Sequence, residues 1–183
     1  MFKNRILLFH LITAHVVIIW GTTFVSTRVL IQNGLGPIEI MFYRFVLAYF
    51  CLLMVSHKRL WADNWKDEFM LILSGLTGGT FYFVAENTAL GITQASNVAL
   101  LVCTTPIFTA LLVHWIFKEP LRRNMIIGSI IALIGVGLVV FSGSVLLQIN
   151  PLGDFLSIMA ALMWAVYCLI LKPLSKKYPT AFI

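Results

Sequence analysis

The chain contains few charged residues: Asp, Glu, Lys and Arg make up only 11% of its 183 residues, and seven of them are acidic. Because about a quarter of the residues in a soluble domain are charged, this composition excludes an ordinary soluble globular protein. Cysteine is also scarce, and Cys51, Cys103 and Cys168 form no CxxC pair. We therefore interpret the three cysteines as small apolar packing residues, not as a metal site.

Motifs that would indicate catalysis are missing as well. The sequence has no HExxH, no GxSxG and no glycine-rich phosphate loop, and it offers no pair of catalytic groups inside an apolar stretch. His10 and His15 are five residues apart, so on a helix they would point in different directions. We predict no enzyme, no metal and no cofactor.

Apolar residues, by contrast, fill most of the chain, at 60% of the sequence. A helix needs about 20 mostly apolar residues to cross the hydrocarbon layer, and the sequence contains six such stretches. We predict an all-α membrane protein with six transmembrane helices. Their approximate bounds are 8–31, 38–56, 67–89, 94–117, 124–141 and 152–171.

The basic residues predict the topology. Eleven of the thirteen Lys and Arg residues lie at the start, at the end, or in every second gap between apolar stretches. Since loops rich in Lys and Arg stay in the cytoplasm, both ends should be cytoplasmic, with the first apolar stretch retained as a helix. The expected location is the cell membrane, with anionic lipid and not nucleic acid as the basic residues' partner. These residues are Lys3, Arg5, Lys58, Arg59, Lys66, Lys118, Arg122, Arg123, Lys172, Lys176 and Lys177.

The first and sixth apolar stretches show a short internal similarity. Trp20 precedes Arg28 by eight residues, and Trp164 precedes Lys172 by the same interval. Five predicted helices separate the two starts, so a second copy would insert upside down, as in the inverted repeats of many secondary transporters.

Several motifs together resemble the EamA family of the drug/metabolite transporter superfamily. They lie at family-like spacing between residues 20 and 140, and residues 153–167 look like the start of the family's second repeat. The motifs are Trp20-Gly21-Thr22-Thr23-Phe24, Arg44, Glu86-Asn87, Ala95-Ser96-Asn97-Val98-Ala99, Pro106, Glu119, Gly128 and Gly135-Val136-Gly137.

The resemblance implies a ten-helix fold of two inverted five-helix repeats, with residues 1–147 as the first repeat and 148–183 as the start of the second. Helices 7 to 10 would then be missing partners from the same protein. It also implies a secondary transporter, often an exporter, of a small metabolite such as an amino acid or a drug-like compound, working by alternating access. The alternative function is a membrane scaffold or assembly subunit that does not transport.

A transporter of this kind needs a pathway with aromatic walls and a few hydrogen-bonding groups. Polar and aromatic residues that recur at helical spacing inside the apolar stretches are the candidates. We predict that the lining residues are Trp20, Thr23, Thr27, Tyr82, Glu86, Asn87, Asn97, Thr104, Trp164 and Tyr167. Pro106 should kink the fourth helix, because proline removes a backbone donor.

Three charged residues need separate explanations, because charge at membrane depth is costly. Arg44 is either a gating or substrate-anion contact, or a structural cation for which Glu86 is the better carboxylate partner. Tyr82 lies one turn before Glu86 and should share its helix face. Glu86 can bind a substrate ammonium or carry a proton, or it can pair with Arg44 or Arg28 and only hold helices together. For Glu119, the resemblance implies a role in tying helix ends together.

Overall fold

The computed structural model describes residues 2–55, 61–121, 123–142 and 150–179. Lys58, Arg59 and Arg122, on which part of the topology prediction rests, lie outside the described residues. Most of the predicted outer loop between the fifth and sixth spans, at 143–149, lies outside them too, as do residues 180–183. The side chains of Lys3 and Arg5 are likewise not described.

The described ranges are helical throughout, apart from short connections. Two of the helices begin with a side-chain cap: Asn64 accepts from the backbone N–H of Asp67, and Asn150 accepts from that of Gly153. Such caps satisfy a backbone N–H that has no partner within the first turn. The helices are α1 (Phe2–Gln32), α2 (Pro37–Val55), α3 (Trp65–Ser74), a π-helical segment (Gly75–Phe81), α4 (Tyr82–Ile92), α5 (Ala95–Val102), α6 (Thr105–Phe117), α7 (Arg123–Ser142) and α8 (Pro151–Lys177).

Five stretches of these helices are long and apolar enough to cross a membrane. They are Leu7–Gln32, Pro37–Met54, Trp65–Ile92, Ala95–Phe117 and Pro151–Lys177, and Arg123–Gly135 in α7 is a shorter apolar helix. The prediction of an all-α membrane protein is therefore confirmed. Within the described residues, five of the six predicted transmembrane helices are long and apolar enough to cross a membrane.

The third predicted helix is not a uniform α-helix, because a π-helical segment separates α3 from α4. Glycine has a low helix propensity, and this segment contains Gly75, Gly78 and Gly79. The Thr77 hydroxyl also donates back to the carbonyls of Leu73 and Ser74, a contact that bends helices. Hydropathy alone gave no sign of the segment.

The expected kink at Pro106 takes the form of a break between α5 and α6 at residues 103–104. Pro106 lies in the first turn of α6, where its missing N–H costs no hydrogen bond. The hydroxyls of Thr104 and Thr105 donate to the carbonyls of Leu101 and Val102 at 2.6 Å each, across the end of α5.

Helix α8 lies at the centre of the bundle and packs against α3, the π-helical segment, α4, α5 and α6. Its buried face carries Ser157, Ala160, Ala161 and Ala165, all fully buried. Small residues allow close helix contact inside a membrane. The large apolar side chains of α1, α2 and α7 are mostly exposed, which suits contact with lipid.

Polar contacts define the two ends of the bundle. At one end Arg28 donates to the carbonyls of Leu90 and Thr93, and Asn150 donates to that of Ile92. At the other end the start of α3, the turn between α6 and α7, and the end of α8 meet through charged side chains. Lys66, Lys118, Arg123, Lys172, Lys176 and Lys177 all belong to this second end, as the alternation of basic loops predicts.

Candidate functional site

An aromatic cluster occupies the middle of the bundle, with Trp164 of α8 at its centre. The Trp164 ring lies 6.0 Å from Trp20, 4.8 Å from Tyr82 and 5.1 Å from Tyr167, measured between centroids. These are favourable tilted or edge-on arrangements. The structure thus brings together all four aromatic residues that the sequence predicted for the pathway.

A buried carboxyl group lies beside this cluster. The Tyr82 hydroxyl donates to Glu86 Oε1 at 2.6 Å, and the two residues are one turn apart on α4. Only 5% of the Glu86 surface is exposed. The prediction that Tyr82 and Glu86 share a helix face is confirmed.

Arg44 does not form the ion pair that the sequence suggested for it. Its guanidinium donates to Thr27 Oγ1 at 3.4 Å and lies 5.7 Å from the centroid of the Phe83 ring. Among the described residues no salt bridge joins Arg44 to Glu86. Arg28 is not the partner of Glu86 either, since it binds the carbonyls that end α4, where the helix dipole favours a cation.

Two asparagines add polar groups to the core, near the end of the bundle at which Arg28 binds the carbonyls of α4. Asn87 is fully buried and donates to the carbonyl of Pro37 at 3.1 Å. Among the described residues, no group donates to its Oδ1, which is unusual for a buried polar atom. Asn97 is also buried, in the first turn of α5. Both therefore lie inside the bundle and away from lipid.

The hydroxyls of two other predicted lining residues donate to backbone carbonyls three residues earlier in the chain. Thr23 donates to the carbonyl of Trp20 at 2.7 Å, and Thr104 donates to that of Leu101. Each oxygen can still accept a hydrogen bond. In a transport pathway, these two hydroxyl oxygens would therefore accept hydrogen bonds from a substrate or from water.

A cavity of about 430 Å³ lies between α6, the turn that follows it, and α8. It extends from Trp164 and Thr105 at mid-bundle to Glu119 and Leu121 at the charged end. Apart from Trp164, the predicted lining residues do not border this cavity. Its wall is Thr105, Pro106, Thr109, Ala110, Val113, Glu119, Pro120, Leu121, Met125, Trp164 and Cys168.

Sequence reasoning missed the α6 side of this cavity. Thr105, Thr109 and Val113 follow one another at intervals of four residues, so they share one helix face. That spacing is visible in the sequence, but two threonines and a valine at such intervals are equally typical of an ordinary packed helix. Among the residues that the structure describes, no group of His, Cys, Asp and Glu side chains is placed to hold a metal ion.

Glu119 borders the cavity at the charged end of the bundle and contacts Lys172, with 2.6 Å between Lys172 Nζ and Glu119 Oε1. Lys172 also lies 4.8 Å from the centroid of the Phe117 ring. The contact joins the turn after α6 to the end of α8. Glu119 thus lies in a position to connect the ends of two helices, as the resemblance implies.

Reversing this ion pair should expose its contribution to stability. Glu119→Lys and Lys172→Glu should each lower the free energy of unfolding by about 1 kcal/mol, the upper range for exposed pairs. The double exchange should recover most of that loss, because the charges are again opposite. Thermal unfolding in detergent measures all three, with Lys176→Glu as the control on the same helix end. Additive losses in the double variant would show that the pair contributes nothing.

Comparison with known proteins identifies the family. The sequence profile of the EamA-like transporter family matches residues 7–141. The chain belongs to this family. The match covers α1 to α7 almost completely, and it therefore includes the residues on which the resemblance was based, from Trp20 to Gly137.

Curated relatives from archaea and bacteria support this membership. An uncharacterized transporter of Archaeoglobus fulgidus is 30% identical over 174 residues, covering 92% of this chain and 59% of the relative. An uncharacterized transporter of Clostridium kluyveri is 29% identical, covering 90% of this chain and 55% of the relative. The uncharacterized transporter YdfC of Bacillus subtilis is 28% identical, covering 87% and 52%. No solved structure matches the chain.

This EamA-like chain spans between half and three-fifths of the length of these relatives. Family membership and the long apolar helices together show a multi-pass membrane protein of a transporter family.

Proposed function

We propose that the protein is a secondary transporter that exports a small, mostly apolar metabolite by alternating access. The observation that carries this proposal is the cavity of about 430 Å³ between α6 and α8. It reaches the middle of the bundle, where the Trp164 ring separates it from Tyr82 and Trp20. A binding space that ends at an aromatic cluster half-way through the bundle suits a carrier better than a packed scaffold.

The lining supports the substrate class. Most of the wall is apolar, and the hydroxyl oxygens of Thr105 and Thr109 can accept hydrogen bonds. Small-molecule sites have this combination of apolar surface with a few oriented polar groups. An amino acid with an apolar side chain, or a drug-like compound, would suit such a wall.

The direction of transport follows from the charged end of the bundle. Glu119 and Leu121 border the cavity at the end to which the described basic loops belong, and we propose that the cavity opens there. By the rule for basic loops, this end and the N-terminus face the cytoplasm of a cell membrane. A cavity open to the cytoplasm is loaded from inside, as an exporter requires.

The longer relatives support the larger architecture that we propose. Residues 1–147 would form one five-helix repeat and residues 148–183 the start of an inverted copy. Helices α1 and α8 are the corresponding first helices. Their matching tryptophans, Trp20 and Trp164, contact each other, while Arg28 and Lys172 lie at opposite ends of the bundle. Such an arrangement is what inversion about an axis near the tryptophan pair would produce.

Filling the cavity tests the proposal. Thr109→Phe should lower the initial transport rate about tenfold, a barrier of 1.4 kcal/mol, because the ring would occupy space between α6 and α8. The assay uses proteoliposomes and a panel of radiolabelled amino acids together with ethidium. Ala132→Phe on the exposed surface of α7 adds the same ring without touching the cavity, and it should transport at the normal rate.

Two results would contradict this function. If the unmodified protein moves no member of the panel, the scaffold alternative is favoured. If it transports a probe and Thr109→Phe does so equally fast at equal expression, the cavity is not the pathway.

A further inference from the structure

Glu86 is an unusual group for the interior of this bundle. It is almost fully buried, and Tyr82 donates to one of its oxygens at 2.6 Å. Within the described part of the chain, no Lys, Arg or His nitrogen forms a salt bridge with it. An ionised carboxylate without a partner is strongly disfavoured at membrane depth. The observed surroundings therefore suit a neutral, protonated Glu86.

A cation nevertheless lies close by, and it is weakly held. The hydrogen bond from Arg44 to Thr27 is long, at 3.4 Å, and the ring beneath its guanidinium is Phe83 at 5.7 Å. Phe83 in turn lies edge-on to Tyr82, with 4.9 Å between centroids. Arg44 is thus one aromatic ring away from the pair that contains Glu86.

The other acidic and basic side chains, Asp, Glu, Lys and Arg, that the structure describes around α4 are engaged elsewhere or lie at the helix ends. Arg28 of α1 binds the last carbonyls of α4, and Glu39 of α2 accepts from the N–H of Gly36. Described residues of the π-helical segment carry no charge. The remaining titratable groups are His10 and His15 on α1, Tyr43, Tyr49 and Cys51 on α2, Cys103 after α5, and Asp154, Tyr167, Cys168, Lys172, Lys176 and Lys177 on α8.

We propose that Glu86 is a proton-binding site of the transport cycle and that Arg44 is the cation that replaces the proton. This inference rests on the proposed transport function. With the proton bound, Glu86 is neutral and keeps the Tyr82 hydrogen bond. When the carboxyl O–H bond breaks, the proton passes to water in the pathway. The carboxylate then draws Arg44 away from Thr27 and Phe83, which moves α2 towards α4.

The aromatic cluster connects this pair to the cavity. Tyr82 lies between Glu86 and Trp164, and Trp164 forms part of the cavity wall. A substrate that turns the Trp164 ring would open Tyr82 and Glu86 to the water of the pathway. Substrate binding would then favour release of the proton from Glu86, as exchange of a substrate for a proton requires.

Infrared difference spectroscopy tests the proton site without any substrate. The protein in lipid is compared at acidic and alkaline pH. The carboxylic C=O band of a buried group should be lost on alkalinisation in the unmodified protein, and it should be missing in Glu86→Gln. Glu39→Gln, which changes an exposed glutamate, should leave the band in place. A band that persists in Glu86→Gln would overturn the assignment.

Transport measurements test the coupling. With a probe that the unmodified protein moves, Glu86→Gln is tested both for exchange of labelled for unlabelled probe and for accumulation driven by a pH gradient. It should lose at least about tenfold in accumulation driven by a pH gradient, because its amide cannot release a proton. Normal accumulation by Glu86→Gln would overturn coupling through this residue. Glutamine preserves the hydrogen bond from Tyr82, so a merely structural carboxyl would leave accumulation unchanged.

If Glu86→Gln does not assemble, Glu86→Asp keeps a titratable group and should accumulate the probe with a displaced pH optimum. An unchanged pH profile would count against the proposal. Failure of the transport function itself is distinguishable, because the unmodified protein would then exchange no probe while the infrared band still titrates.

Discussion

Trp164→Ala should remove most transport and lower the free energy of unfolding by about 3 kcal/mol, the low end of the range for truncating an aromatic ring, because the Trp164 side chain is partly buried. The indole contacts three other rings, those of Trp20, Tyr82 and Tyr167. It also forms the inner wall of the cavity. Its loss therefore leaves a void at the point where α1, α4 and α8 meet, and the cavity becomes continuous with the Tyr82–Glu86 pair.

The measurement compares initial transport rates and melting temperatures in detergent. Trp115→Ala is the matched control, because that ring is 77% exposed on α6 and its removal should change neither quantity. Trp20→Ala and Tyr82→Ala should also reduce transport, by smaller factors. If all three cluster variants transport normally at normal expression, the assignment of the lining is wrong.

Gly78→Ala should destabilise the bundle by about 1–3 kcal/mol, the cost of overpacking a tight site. A Cβ atom at Gly78 would lie 2.5 Å from two atoms of the Tyr167 ring. The ring lies directly on the π-helical segment, so either the ring or α8 must move. Because Tyr167 contacts Trp164, the displacement should also reach the aromatic cluster and slow transport.

Gly75→Ala is the control for this prediction. Nothing lies within 4 Å of the position that its Cβ would take, so the substitution should be neutral or slightly stabilising. The double variant Gly78→Ala with Tyr167→Ala removes the clash and should be less destabilised than the sum of the two single changes. Melting temperatures in detergent decide the question. Equal stability of Gly75→Ala and Gly78→Ala would show that α8 is not packed so closely.

Much of the fold could be predicted from the sequence, since helices in a membrane must satisfy their own backbone hydrogen bonds over a fixed length. The span predicted at 94–117 coincides with Ala95–Phe117. The span predicted at 67–89 was short by two or three residues at each end, as Trp65–Ile92 shows. The last helix was also predicted too short, at 152–171 against Pro151–Lys177. The π-helical segment was missed, because it depends on local contacts of Thr77 and Gly78 and not on hydropathy.

The candidate site was predicted less completely. Tyr82 and Glu86 were correctly placed on one face, because four residues make about one turn. The role of Arg44 was left open between a gating contact and a structural cation, because its partners depend on how α2 packs against α4. The cavity beside Thr109 was not foreseen, because it depends on how α6 and α8 pack.

The sequence by itself determined that this chain crosses a membrane repeatedly with its basic residues gathered at alternate turns. Hydropathy and loop charge are sums over neighbouring residues, so they need no knowledge of the bundle. The tertiary structure alone decided which polar groups meet inside it. These arrangements depend on contacts between residues far apart in the chain, such as Trp20 with Trp164 and Gly78 with Tyr167. They also depend on small residues, which allow other helices to pack closely against α8.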